Sequence, residues 1–279
     1  MKTAAVGTAA FVALGVLLTA HQQTVSSRTL LATVSAGNRM IVDLDVDDFV
    51  IDEGGATREV FDVHIADYPL AVILDDAAAP NEITTIRDAA ARFITRVGER
   101  AVVTGALTVP ALVGSFGDDR EKVLADIKGI GPRPASQLIP LEVLTSAIRA
   151  IQELRAPFSA IVVISSRAID PSDLTSPELL KPILDGRIPV HVIANRAQAN
   201  GALPPPADVL REVSSLTHGQ YTTIYSPASY SIALDRLADR LSSEMMIQFL
   251  VPPGSSAAGE VRVGVKIPGA RVTGLGVSR

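Results

Sequence analysis

Pro69-Leu70-Ala71-Val72-Ile73-Leu74-Asp75-Asp76 is the stretch on which the reading of this chain turns. Five consecutive apolar residues with no polar alternate predict a strand buried on both faces, the kind found in parallel sheets covered by helices. Outward from it the same grammar repeats. Short apolar strands are expected at 101–104, 160–164, 188–193 and 221–224, with a shorter edge strand at 109–113 whose Pro110 suits an edge. Between them lie helical patterns. Ile83, Ile86, Ala90, Ile94 and Val97 share one face after a cap at Asn81. Asp118 and Asp119 open a second helix, and Leu141, Leu144, Ile148, Ile151 and Leu154 line a third. A helix near 176–184, one through Val209, Leu210, Val213 and Leu216 behind Pro204-Pro205-Pro206, and a last one capped by Ser229 complete the series. Alternating strands and helices imply an α/β fold, a mainly parallel sheet with helices on both faces. In such sheets ligands bind beyond the carboxyl ends of the strands, where Asp75 and Asp76 fall.

Both ends of the chain read differently. Val42-Asp43-Leu44-Asp45-Val46-Asp47 alternates with period two, which predicts a half-buried strand, and a hairpin is expected about Gly54-Gly55. Residues 245–267 return to β, with Pro252-Pro253-Gly254 as a turn. The expected organisation is an N-terminal β segment at 28–66, an α/β domain at 67–243 and a C-terminal β segment at 244–279. The two β pieces either pair with each other or pack separately. Residues 1–20 read as a signal peptide: Lys2, an uncharged run over 4–18, then Leu18-Thr19-Ala20. A secreted or periplasmic protein is expected, with no membrane span once the leader is cut.

Composition narrows the chemistry. The 279 residues carry 25 Lys and Arg against 30 Asp and Glu, a net charge of −5 without a basic stripe, which argues against a nucleic-acid partner. No cysteine is present, which removes disulfides, thiolate metal sites and thiol nucleophiles. Gly129-Ile130-Gly131-Pro132 begins like a dinucleotide loop but follows a helix and sets Pro where an amide should face phosphate. Asp43, Asp45, Asp47 and Asp48 start like a calcium loop, yet the sixth and twelfth places hold Asp48 and Gly54. The histidines His21, His64, His191 and His218 are far apart in sequence.

Several segments together resemble the von Willebrand factor A-like domain in its exported bacterial form. They are 47–55, 69–75, Ile161-Val162-Val163-Ile164-Ser165, 188–193, 210–221 and the closing strand through Gln248 and Phe249. The resemblance implies a Rossmann-like sheet and a metal-ion-dependent adhesion site built on Asp-x-Ser-x-Ser, a later Thr and a later Asp. Here Asp75 keeps the first position, Ala77 and Ala79 stand at the two Ser positions, Ser136 lies in the Thr loop, and Ser166 aligns with the later Asp. With so few oxygens the site is expected to bind no cofactor and at most weak Mg²⁺. The resemblance implies a non-catalytic interaction or adhesion module with a protein or cell-surface partner. Its binding rim is expected at Asp75, Asp76, Ser115, Ser136, Ser165 and Ser166, as ordinary solvated loop residues at least individually. Two alternatives stand beside it: a scaffolding module assembling through its β region, and a hydrolase pairing Asp75 or Asp76 with His191 or His218.

Overall fold

Leu70–Leu74 is a fully buried strand at the centre of a six-stranded sheet. The computed structural model describes residues 26–133, 138–196, 207–252 and 260–278; the expected signal peptide, Ser136 and the proline run at 204–206 lie outside them. In chain order the strands are β1 (Ser26–Ala36), β2 (Arg39–Ile41), β3 (Phe49–Glu53), β4 (Ala56–Arg58), β5 (Val60–Ile65), β6 (Leu70–Leu74), β7 (Val102–Ala106), β8 (Val109–Val113), β9 (Ala160–Ser165), β10 (Val190–Asn195), β11 (Tyr221–Ile224), β12 (Glu244–Val251), β13 (Val261–Val265) and β14 (Ala270–Val277). The helices are α1 (Pro80–Arg96), α2 (Arg120–Gly129), α3 (Pro140–Leu154), α4 (Leu180–Asp185), α5 (Val209–Leu216) and α6 (Ser229–Leu241).

The large sheet runs β11-β10-β9-β6-β7-β8. It is mixed: β11, β10, β9, β6 and β7 are mutually parallel, and β8 returns antiparallel at the edge. Side-chain alternation divides its two faces between two cores. Leu70, Val72, Leu74, Val162 and Ile164 pack under α1, α2 and α6. Ala71, Ile73, Ile161, Val163 and Val192 pack under α3, α4 and α5. Burial on both faces explains why these strands are unbroken apolar runs.

The two ends of the chain pair with each other. β1 lies between β12 and β14, β12 also pairs with β5, and β13 pairs with β3. A third core forms there from Leu30, Val34, Phe49, Ile51, Met245, Ile247 and Phe249. Gly54-Gly55 turns β3 into β4, both glycines at positive φ, and β5 then leaves to join β12.

Several expectations are corrected. The segment 42–47 is no strand: Asp45 and Asp48 form a reciprocal capping box that closes a short 3₁₀ turn over Val46–Asp48. Local side-chain hydrogen bonds outcompete the ladder there. α1 starts one residue earlier than Asn81, on Pro80, whose fixed φ suits a first helical position. Ser229 is the first residue of α6 rather than its cap. The strand expected at 188–193 is shifted to Val190–Asn195.

Candidate functional site

The strand order reverses between β6 and β9, and the carboxyl ends of these strands are the switch point at which parallel sheets place their ligand sites. Asp75 follows β6 there, its backbone N–H donating to the Ile164 carbonyl of β9 at 2.9 Å. Its carboxylate is buried, with 0% exposure. Oδ1 accepts from the Ala77 backbone N–H at 3.1 Å. Oδ2 accepts from Ser166 twice, from its N–H at 2.9 Å and its Oγ at 2.6 Å. The Arg167 guanidinium completes the surroundings. Its Nε lies 3.9 Å from Asp75 Oδ2, and its other arm donates to the Ala77 carbonyl. The carboxylate is thus held by three hydrogen bonds and faced by a fixed cation.

Asp76 is equally buried but points the other way. It accepts from the N–H and Oγ1 of Thr108 in the β7–β8 turn, with Arg133 Nε at 3.5 Å. Both carboxylates organise loops from inside, which corrects the expectation of solvated loop residues: each needs partners because an unpaired buried charge is costly. Ser165 is also buried and donates to the Arg167 carbonyl at 2.6 Å. Of the expected residues, Asp75, Asp76, Ser165 and Ser166 meet at this end of the sheet. Ser115 does not. Because β8 runs antiparallel, the chain emerges from it toward the opposite end, where Ser115 binds Asp118 at the start of α2.

Beside Asp75 lies a second network that sequence reading missed. Glu82 Oε1, in the first turn of α1, accepts from Asn195 Nδ2 at 2.7 Å and lies 3.0 Å from the Tyr230 hydroxyl. That hydroxyl is also 3.1 Å from the Ser165 carbonyl oxygen. Burial, and then the Glu82 charge, pushes the Tyr230 phenol far above its ordinary range, so it stays protonated and can donate. Arg167 was the one missed residue with a sequence signal: a basic residue directly after the position where a second metal-site carboxylate is expected.

The histidines stand elsewhere. His191 is buried near the start of β10, its Nδ1 accepting from the Gln220 N–H at 3.0 Å. His218 sits at positive φ in the turn before β11, at the amino end of the sheet. Neither is brought to Asp75 or Asp76. Among the described residues no group of three or more His, Asp or Glu is arranged to hold a metal ion, and no helix is long and apolar enough to cross a membrane.

The turn and strand at 46–53, the strand tipped by Asp75, β9, β10, the α5–β11 pair and the closing β12 follow in the order that the resemblance implies. In this order of elements the chain resembles the von Willebrand factor A-like domain. No family profile matches the chain, and no curated protein does. Solved structures similar to this chain include a von Willebrand factor type A protein from Catenulispora acidiphila, at 12% identity over 91% of this chain and 73% of that one, TM-score 0.49. The vWF domain of the type V pili tip protein Mfa5 from Porphyromonas gingivalis matches at 10% identity over 63% and 95%, TM-score 0.46. The PilB minor pilin from Streptococcus sanguinis matches at 10% over 64% and 62%, TM-score 0.47.

Proposed function

We propose that this von Willebrand factor A-like chain is a non-catalytic protein-interaction module of the cell exterior or periplasm. In this reading it meets its partner at the carboxyl-end rim around Asp75 without a bound cation. The observation that carries it is the saturation of Asp75. Three donors and the Arg167 guanidinium use the carboxylate that a metal would need, and Ala77 and Ala79 offer no side-chain oxygen. A divalent cation would have to displace Ser166, lose its own water and sit beside a like charge. These residues therefore do not fit Mg²⁺. The partner instead meets the exposed parts of Arg167 and Arg133, whose side chains are 39% and 58% exposed.

Calorimetric titration with Mg²⁺ and Mn²⁺ is expected to show no saturable heat, and micromolar binding overturns the metal-free rim. The interaction itself is tested by capture from a cell-envelope extract in EDTA. A specific partner held by the wild type and lost in Arg167→Glu and Arg133→Glu supports the rim; unchanged capture overturns it.

Exposed Phe61 and Ile65 on β5, the outer strand of the terminal sheet, favour a second reading, assembly through that sheet. Capture abolished by Phe61→Asp but not by Arg167→Glu would select it.

A further inference from the structure

The other end of the sheet order holds an open edge. Among the described residues β11 pairs only with β10. The Val192 N–H donates to the Gln220 carbonyl and the Arg196 N–H to the Ile224 carbonyl. Parallel pairing alternates, so residues 220, 222 and 224 turn their amide groups inward. The N–H and C=O of Tyr221 and Thr223 therefore face outward, with no backbone partner among the described residues.

Over this edge stands one face of α6. Ile232, Arg236 and Arg240 follow at i, i+4 and i+8, one stripe of the helix. Between stripe and strand lies a groove of about 580 Å³, with Thr223 and Tyr225 on one wall and Leu237 at its floor. Ile232 and Tyr225 are 57% and 64% exposed, too much apolar surface to be explained by the core. The groove is lined by two arginines and no acid. Arg240 donates to Gln220 Oε1 at 2.7 Å, while Arg236 makes no hydrogen bond or ion pair among the described residues. The helix's own acids, Asp235 and Asp239, are turned away toward Arg92 and Arg96 of α1.

We propose that this groove takes an extended, acid-bearing segment of a partner protein as an added strand. Its main chain bonds Tyr221 and Thr223, and its carboxylates lie against Arg236 and Arg240. Strand addition draws affinity from main-chain hydrogen bonds and specificity from alternate side chains, and an unpaired cation beside an unpaired edge supplies both halves. The site is separate from the rim at Asp75.

The test is fluorescence anisotropy with a labelled, end-capped peptide, Thr-Glu-Ile-Glu-Ile-Glu-Thr. The full chain should bind it saturably. A version with lysine for glutamate and a version N-methylated on alternate residues should each bind at least about tenfold more weakly. Arg236→Glu should weaken binding to a similar degree. So should Thr223→Pro, which removes only an outward-facing N–H and leaves the bonds to β10 intact; an unchanged melting temperature shows that it folds. Arg167→Glu should bind the peptide as the wild type does, so that failure here is distinct from failure of the rim. No binding at millimolar peptide, equal binding of the lysine or N-methylated peptide, or an unaffected Arg236→Glu overturns the proposal.

Discussion

His191 is a histidine that the fold keeps neutral. Burial, and after it the nearby Arg240 charge, lowers its pKa from the ordinary 6.5 to about 3. Its Nδ1 is used as an acceptor by the Gln220 N–H, which an imidazolium could not provide. The depressed value sets the sign of a pH effect. The unfolded chain takes up the proton below about 6.5 and the folded chain does not. Stability from this group is complete above that pH and is lost as pH falls toward 3, at about 1.4 kcal/mol per unit. His191→Gln keeps an acceptor and removes the titration. Urea unfolding at pH 8 and 5.5 should therefore show the wild type losing about 1 kcal/mol more than the variant; equal losses would show that His191 is not the sensor. Glu244 has a pKa raised by burial, which acts in the opposite direction, so only the difference between the two proteins isolates the histidine.

The connection from α5 into β11 shows how an element can rest on a missing side chain. The Gly219 N–H donates to the Ser214 carbonyl at 2.8 Å, closing the helix, and a Cβ there would stand 1.9 Å from the Val190 carbonyl oxygen. The obstacle is backbone of the neighbouring strand, so no rotamer change relieves it. Gly219→Ala should cost about 3 kcal/mol or more in chemical denaturation, whereas the same change at Gly129, which has open space, should cost far less. At this scale the chain was unevenly legible. β6, β9 and β10 could be found because burial on both faces leaves unbroken apolar runs. β14 falls inside the expected C-terminal β segment but could not be delimited there, since Gly274 and Gly276 interrupt its pattern and most of its residues stay accessible. The segment 42–47 alternated like a strand, but alternation cannot report that Asp45 and Asp48 would bond each other's backbone. Likewise the sequence could put Asp75 at a strand tip, while the partners that use up its carboxylate, Ser166 and Arg167, come from 91 and 92 residues away and depend on the strand order. Ser115 was misplaced for the same reason, because one reversed edge strand moves a loop to the other end of the sheet.

The terminal sheet and the α/β layer are joined into one molecule through a buried polar junction. Leu31 and Met246 of the terminal strands, with Ala66 just past β5, belong to the core under α1 and α6. At the same boundary Arg100, 3% exposed, donates to the Leu241 carbonyl at 2.7 Å and stacks 4.1 Å from the centre of the Tyr68 ring. The Tyr68 hydroxyl donates to Glu244 at 2.5 Å. Both crossings between the layers, from β5 into β6 and from α6 into β12, pass through this cluster. Burial lowers the Arg100 pKa and raises that of Glu244; the Tyr68 hydroxyl, then Arg240 and Arg100, ease the burial of Glu244, and Glu244 in turn eases that of Arg100. Removing one partner of such a group leaves the other uncompensated, at a cost of about 3–5 kcal/mol; removing both costs much less. Arg100→Met should therefore lower stability by about 3 kcal/mol, and Arg100→Met with Glu244→Gln should recover part of that loss. Additive losses in the double variant would mean that the two charges do not compensate each other. Calorimetry of the wild type should show a single transition, because the layers share a core as well as this junction. Two separate transitions in the wild type would show that the terminal sheet is carried by the α/β layer rather than built into it.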